Sequence, residues 1–445
     1  MLYGKRAIFF PLTFCLMNSV LLAAHWEGHT SLKIAAVLFL TAAFLYYNIR
    51  PGTGGDAPGR QRVLAGGREL MTAYLILFPC EVFLSLALGL TGTVRASAPV
   101  WAMHGILSAA LVSVLALNGA IRAAATAKQL GTVHRVCLVL LWWMPPVNLA
   151  LLGVTCRTVK RECRFEREKR RLDAARKGEA VCGTKYPILL LHGIFFRDWK
   201  YLNYWGRIPQ ALTDNGASVF YGNHNSSLPV EQTAQEIRRR ILEIRQETGS
   251  EKVNIIAHSK GGIDARYAIS CLGMDAHVAS LTTINTPHRG SSLAGTLLDK
   301  SPEKLVAAVG KQYKKIFTKL GDSDCDFFGG VQELTAERCA ALNETAADRA
   351  GVLYQSVGSA MNSAASRILP LSAGYAIIHP IEGENDGLVG AGSMAWGNFL
   401  GILRSAEKTG ISHGDMIDMT KKNIRDFDVC EFYVKLVSGL KERGL

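Results

Sequence analysis

The sequence predicts an α/β domain, a mostly parallel sheet flanked by helices, preceded by an all-α transmembrane module. Three observations carry that expectation. The chain has 445 residues, more than one compact domain usually holds. Its hydrophobic share of 49% and its positive mean hydropathy exceed those of an ordinary soluble protein, and the excess lies in the first third. After Gly183 the long apolar runs give way to short β-rich runs alternating with amphipathic segments, the pattern of βαβ units. The expected division is a membrane module over 1–156, a basic juxtamembrane linker over 157–183 and the α/β domain over 184–445.

Five apolar stretches mark the membrane module: Ala7–Ala24, Lys33–Ile49, Leu70–Leu90, Pro99–Ala120 and Val136–Val154, each near the ~20 residues a bilayer core requires. The first, preceded by Lys5 and Arg6, also has the form of a signal peptide, but four further spans favour a retained helix. Glu81, His104, Asn118 and Asn148 are the polar groups within these spans, read first as inter-helix hydrogen-bonding residues. Between Arg157 and Lys177 lie ten basic and four acidic residues. Because this cluster follows an apolar segment, it points the formal charge of +13 towards anionic lipid headgroups and away from nucleic acid. Topology is left open. Five full spans put either the basic cluster or the Arg50–Arg68 and Arg122–Arg135 loops on the wrong face, whereas a re-entrant hairpin with its tip at Trp143–Pro146 is a third solution.

In the α/β domain the expected strands are Tyr186–Leu191, Ser218–Tyr221, Lys252–Ala257, Val278–Ile284, Val352–Val357 and Tyr375–His379. A helix is expected over Pro229–Glu247, where Ile237, Ile241 and Ile244 form an apolar stripe. The ten cysteines show no paired spacing and are read as free thiols.

The chemistry concentrates at Val253–Gly262, where a buried strand runs into Ser259 flanked by small residues and then a helix. This is the pattern of the nucleophile elbow of the α/β-hydrolase fold, with Ala257 in place of the first glycine of G-x-S-x-G. The turn lifts the serine hydroxyl clear of the sheet, and the helix N-terminus offers N–H groups where an oxyanion develops. Those of Lys260 and of Ile194, after His192–Gly193 at the end of the first strand, form the expected oxyanion hole, with His192 orienting its loop. A serine needs a base and the base a carboxylate, in the chain order Ser, acid, His. Of His277, His288, His379 and His413, only His413 satisfies the order behind an acid at Asp386, with Glu384 and Glu382 as competing acids.

These motifs resemble the bacterial triacylglycerol lipases. Ala257–Gly262 is similar to the Ala-first elbow of the Gram-positive branch, as is Asn203–Gly206 to a motif of that branch, and Thr286–Ser291 resembles the turn after the next strand. Asn385–Val389 resembles the catalytic-acid loop and His413–Gly414–Asp415 the catalytic-histidine loop. The resemblance spans about Lys185 to Phe432 and excludes the membrane module. It implies Ser259, Asp386 and His413 as the triad, a lid in the insertion at about 291–350, and Asp415 as a calcium ligand bracing the histidine. The companion aspartate expected some twenty residues before Asp386 is missing from Ser366–Leu371, and the triad chemistry itself requires no cofactor.

The expected protein is therefore an integral membrane ester hydrolase of a bacterial cell membrane, a lipase acting on acylglycerols or phospholipids. A lipid acyltransferase would share the acyl-enzyme, and a non-catalytic lipid sensor or membrane scaffold would keep the fold without turnover.

Overall fold

A computed structural model describes residues 7–52, 57–176, 178–194, 204–300, 327–364 and 370–445. The chain divides into two compact units, Met1–Ala174 and Ala175–Leu445.

The first unit is all helical: α1 Phe9–Met17, α2 Ser19–His25, α3 Thr30–Ile49, α4 Gly59–Thr91, α5 Ala98–Thr126, α6 Thr132–Leu140 and α7 Pro145–Ala175. Three of these, α3, α4 and α5, are long and apolar enough to cross a membrane, which gives the chain its integral membrane character. The first expected span is two helices broken at Asn18. The fifth is interrupted between Leu140 and Pro145, because a proline fits the first turn of a helix and not its interior. The stretch expected as a linker is helix as far as Ala175. Its Arg, Lys and Glu residues are good helix formers, with an i,i+4 pair between Arg164 and Glu168 at 3.0 Å. Small residues bring α4 and α5 together: a methyl added at Gly119 would stand 2.9 Å from the Gly67 carbonyl oxygen. The intramembrane polar groups bond across helices, as Asn18 Nδ2 does to Glu81 Oε2 at 2.8 Å and Asn118 Nδ2 to the Asn48 carbonyl at 2.9 Å.

The second unit is a six-stranded sheet in the order β2-β1-β3-β4-β5-β6 with every neighbour parallel. The strands are β1 Ile188–Leu191, β2 Val219–Tyr221, β3 Val253–His258, β4 Val278–Ile284, β5 Leu353–Ser359 and β6 Asn398–Leu403. Around them lie α8 Ile208–Asp214, α9 Val230–Thr248, α10 Lys260–Cys271, α11 Ser292–Lys300, α12 Phe327–Gln332, α13 Ala336–Thr345, α14 Leu371–Glu382 and α15 Val429–Glu442. Period-two alternation sends Ile188 and Leu190 into one apolar layer with Trp205 and Tyr433, and Leu189 and Leu191 into the other with Ile237, Ile241 and Ile244 of α9. Each such fully buried aliphatic side chain contributes about 1.5–3 kcal/mol.

Two expectations change. Tyr375–His379 lies within α14 and is not a strand, since Gly374 and Ile378 face inward at helical spacing. The sixth strand is instead β6, an edge strand whose side chains are exposed to half-buried. Of the expected lid, residues 301–326 lie outside the described residues, as do Asn203 and most of Ser366–Leu371. The described α13 packs as core: Cys339 is buried, and Asn343 donates to the His288 carbonyl at 2.9 Å.

Candidate active site

Ser259 follows β3 and caps α10 with φ 55° and ψ −131°, a backbone shape that costs a non-glycine residue about 1–3 kcal/mol. It is overdetermined by its neighbours. The Ser259 amide donates to the Ile284 carbonyl at 2.9 Å, and the Thr286 hydroxyl donates to the Ser259 carbonyl at 2.8 Å. Small neighbours are obligatory: a methyl at Gly261 would meet the His192 carbonyl at 2.5 Å and one at Gly262 the Thr286 hydroxyl at 2.2 Å. Ala257 fills the first elbow position fully buried, so the missing glycine is tolerated.

The loop after β1 comes close to the serine, since a methyl at Gly193 would stand 2.7 Å from Ser259 Cβ. Lys260 opens α10, where a helix leaves its first N–H groups without intrahelical partners. Ile194 is the last described residue of its loop. His192 bonds the Gly193 carbonyl at 3.0 Å and stacks on His224 at 4.0 Å, a loop-holding position.

Asp386 is fully buried in the loop between α14 and β6. Its Oδ1 accepts the amides of Leu388 and Val389 at 2.9 and 2.8 Å; its Oδ2 faces His413 Nδ1 at 2.6 Å and accepts from Asn285 Nδ2 at 2.6 Å. The His413 amide also donates to the Asp386 carbonyl at 2.9 Å. The imidazole of His413 lies 4.4 Å from that of His258, the residue preceding Ser259. The competing acids are engaged elsewhere, Glu384 with Arg404 at 2.6 Å and Glu382 with the Ser292 amide at 2.9 Å. His379 is exposed on α14 and bonds the Gly383 carbonyl. His288 is buried against Thr283 and the Trp396 ring, and burial, with Arg266 and Arg289 nearby, holds it well below the ordinary imidazole range.

Three features escaped the sequence reading. Asn285, itself at φ 48°, orients Asp386 and also donates to Ser359. The Tyr204 hydroxyl accepts from the Gly193 amide at 3.0 Å and bonds His258 Nδ1 at 2.6 Å, joining the two loops that flank Ser259. Burial, reinforced by His413, keeps His258 well below the ordinary imidazole range, so it is neutral. Beneath Lys260 its ammonium meets Asp264 at 2.7 Å with both side chains fully buried, and burial, opposed by Lys260, pushes the Asp264 carboxyl up to about 7. The contacts of Asn285 and Tyr204 join residues 101 and 54 positions apart, which no spacing marks; the Lys260–Asp264 pair is a local i,i+4 spacing on α10 that the motif reading passed over.

Asp415, the expected calcium ligand, is buried two residues after His413. Its Oδ2 accepts both the amide and the hydroxyl of Ser412, at 2.9 and 2.7 Å, and no three His, Cys, Asp or Glu residues converge on a metal position among the described residues. The histidine loop is braced by protein groups: next to the Asp415–Ser412 pair, Asp418 accepts from Arg207 at 2.7 Å.

Residues 185–288 match the family model described as Lipase (class 2). The triacylglycerol lipase of Pseudomonas fragi is 28% identical over 294 residues, covering 59% of this chain and 98% of its own length. That of Burkholderia plantarii is 27% identical over 284 residues, covering 51% and 78%. A shorter match, 37% identical over 112 residues, links 25% of this chain to 35% of the triacylglycerol lipase of Vibrio cholerae serotype O1. Among solved structures, the mature Bacillus licheniformis lipase BlEst2 is similar over 57% of this chain and 92% of its own, with a TM-score of 0.43 and 18% identity. The second unit is thus a lipase/esterase-like α/β-hydrolase domain. It is homologous to the triacylglycerol lipases and follows a membrane-spanning helical region, so hydrolase activity in general is its class of chemistry.

Proposed function

We propose that this protein is a membrane-anchored serine ester hydrolase whose triad is Ser259, His413 and Asp386, acting on acylglycerols or phospholipids. The observation that carries the reading is the backbone of Ser259, a non-glycine residue held at φ 55° between a buried strand and a helix N-terminus. A strained conformation fixed by this many neighbours is what a projecting nucleophile requires.

The chemistry follows from the partners. With Nδ1 of His413 engaged by Asp386, Nε2 is the nitrogen left to take the Ser259 proton as the hydroxyl oxygen attacks the acyl carbon. The amides of Lys260 and Ile194 would hold the resulting oxyanion, and preorganised donors of this kind are worth about 2.7–4 kcal/mol each. Collapse expels the alcohol, which takes the proton back from His413 and leaves the acyl-serine. Water then attacks the acyl carbon and gives its proton to His413; the acid leaves and Ser259 regains its hydrogen. Asp386 orients the imidazole throughout, held by the donors on both of its oxygens.

The test is turnover of a short p-nitrophenyl ester by purified protein. His413→Ala should lose roughly 10³-fold or more, whereas His379→Ala and His288→Ala retain more activity. Equal collapse of all three with intact folding would remove His413 as the base.

A further inference from the structure

We propose that α6 and α7 form a re-entrant hairpin that enters and leaves the membrane through one face, so that the chain emerges from the membrane unit on the cytoplasmic side. The proposal does not depend on the catalytic reading. Neither leg of the hairpin can cross a bilayer. The nine residues of α6 rise only about 14 Å, against a core of about 30 Å. In α7 the apolar part before Arg157 is equally short of a span, about 18 Å.

Carbonyls in the turn between the legs have donors, which lowers the cost of irregular backbone at membrane depth: Asn148 Nδ2 serves Trp142 at 2.6 Å, Trp143 Nε1 serves Leu140 at 3.0 Å and the Met144 amide serves Leu141 at 3.2 Å. Val136, Val139, Leu140 and Trp143 remain exposed, an apolar surface suited to lipid. Lower down, His134 and Thr155 bond at 2.8 Å and tie the legs together.

Below that tie, the chain returns to the end of the bundle it started from. Glu162 of α7 accepts the amides of Lys128 and Gln129, just past α5, at 3.1 and 3.0 Å, and pairs with Arg60 at the start of α4 at 3.0 Å. At the same end Arg122 donates to the Arg50 carbonyl after α3 at 2.9 Å, and Gly52 bonds Arg62 at 2.7 Å. Phe9, in the first turn of α1, stacks on Tyr47 at 5.0 Å near the end of α3, so α1 also runs away from this end.

The charge asymmetry then chooses the face. The loops and helix ends gathered at this end carry Arg50, Arg60, Arg62, Arg68, Arg122, Lys128 and Arg135, and the 157–177 stretch adds its ten cations. The opposite end, around Glu27–Lys33 and Thr91–Ser97, has only Lys33 and Arg95 against Glu27. A full fifth span would violate the positive-inside rule at one end or the other; a hairpin satisfies it at both. The basic surface thereby meets the acidic phospholipid headgroups of the inner leaflet.

The test places single cysteines in the full chain, Thr93→Cys, Lys128→Cys and Glu442→Cys, expressed in a bacterium and treated with a membrane-impermeant maleimide. Labelling above the wild-type background is read in intact spheroplasts and again after permeabilisation. Thr93→Cys should label in intact spheroplasts, and Lys128→Cys and Glu442→Cys only once the membrane is opened. External labelling of Glu442→Cys without Lys128→Cys would make α6–α7 a complete crossing, and external labelling of both would reverse the assigned face. A green fluorescent protein fused after Leu445 gives an independent reading without substitution: fluorescence is expected, and a dark but expressed fusion contradicts the cytoplasmic assignment.

Discussion

Among the described residues two buried carboxylate–imidazole pairs occur, one in each unit, and they differ in what surrounds them. In the membrane unit Glu81 lies 3.2 Å from His104, with Ser85 and Ser108 in hydrogen-bond reach. In the hydrolase unit Asp386 meets His413 at 2.6 Å, and the His413 ring lies 4.4 Å from that of His258, the residue before Ser259. Serine, histidine and an acid are therefore present twice. In the membrane pair, however, one nitrogen, His104 Nε2, faces both the carboxylate and Ser85, so no second nitrogen relays a proton between them. Ser85 and Ser108 also sit inside regular helices, where a hydroxyl is not thrust forward. In the hydrolase pair Nδ1 belongs to the acid, and the serine occupies a strained turn. A catalytic triad is defined by how the two ring nitrogens are divided and by the backbone under the nucleophile; residue types alone make inter-helix glue.

The sharpest way to break this contrast is to remove each serine. Ser259→Ala should lower p-nitrophenyl ester turnover by roughly 10³-fold or more, while Ser85→Ala and His104→Ala leave it within a few fold of the wild type. A large loss on removing Ser85 would place chemistry in the membrane unit. Next in size is Asn285→Ala, which withdraws one donor from Asp386 while leaving Ser259 and His413 in place. Misplacement of the acid should cost up to about 10²-fold in kcat with KM little changed. A pure rise in KM would instead assign Asn285 to substrate binding.

The units can also be separated. A chain beginning at Ala175 keeps every residue of the proposed triad and a core large enough to fold alone. It should hydrolyse soluble esters at close to the full-length rate yet lose most turnover on lipid vesicles, with an unrelated anchor restoring part of it. A folded but inactive fragment would show that the spans contribute to the active site.

A smaller effect concerns acid. His258 and His288 are held neutral by burial, well below their ordinary value of 6.5. Below that pH the unfolded state binds protons that the folded state refuses, so stability falls as pH falls, by up to about 1.4 kcal/mol per pH unit for each histidine. Asp264 has the opposite sign: with its carboxyl raised from 3.8 to about 7, the folded state holds a proton that the unfolded state gives up between those values. Two groups against one leave a net loss, and the melting temperature of the hydrolase unit should drop between pH 6.5 and 5. A rise on acidification would contradict the buried-histidine assignment. The smallest effect is expected from calcium removal: with Ser412 on Asp415 and Arg207 on Asp418 bracing the histidine loop, chelation should change activity and melting temperature only slightly. A large, calcium-reversible loss would reveal a ligand set outside Asp415.

What could be read in advance follows the range of the interactions. Strand β3, the elbow and the apolar stripe of α9 are local patterns, and their residues appear where the spacing puts them. The Tyr375–His379 run was ambiguous because five apolar or aromatic residues fit a strand or one and a half helical turns, and Pro370 together with inward-facing Gly374 and Ile378 decides for helix. Edge strand β6 escaped because its exposed side chains and Gly401 at φ 108° show no buried alternation. The helix break before Pro145 was legible from Pro145 and Pro146, but the gathering of Arg50, Arg60, Arg122 and Glu162 at one end required tertiary contacts. The same limit hid Asn285 and Tyr204, whose partners lie 101 and 54 residues away.

The central claim, that Ser259 is the one activated serine, is tested most directly by a fluorophosphonate that reacts only with such a residue. After treatment of the folded full-length protein and peptide mapping by mass spectrometry, a single adduct is expected on Ser259. It should be absent from Ser259→Ala and suppressed in His413→Ala, with Ser85 and Ser108 unmodified. An adduct on any other serine, or none on protein that is folded and still hydrolyses esters, would contradict the account.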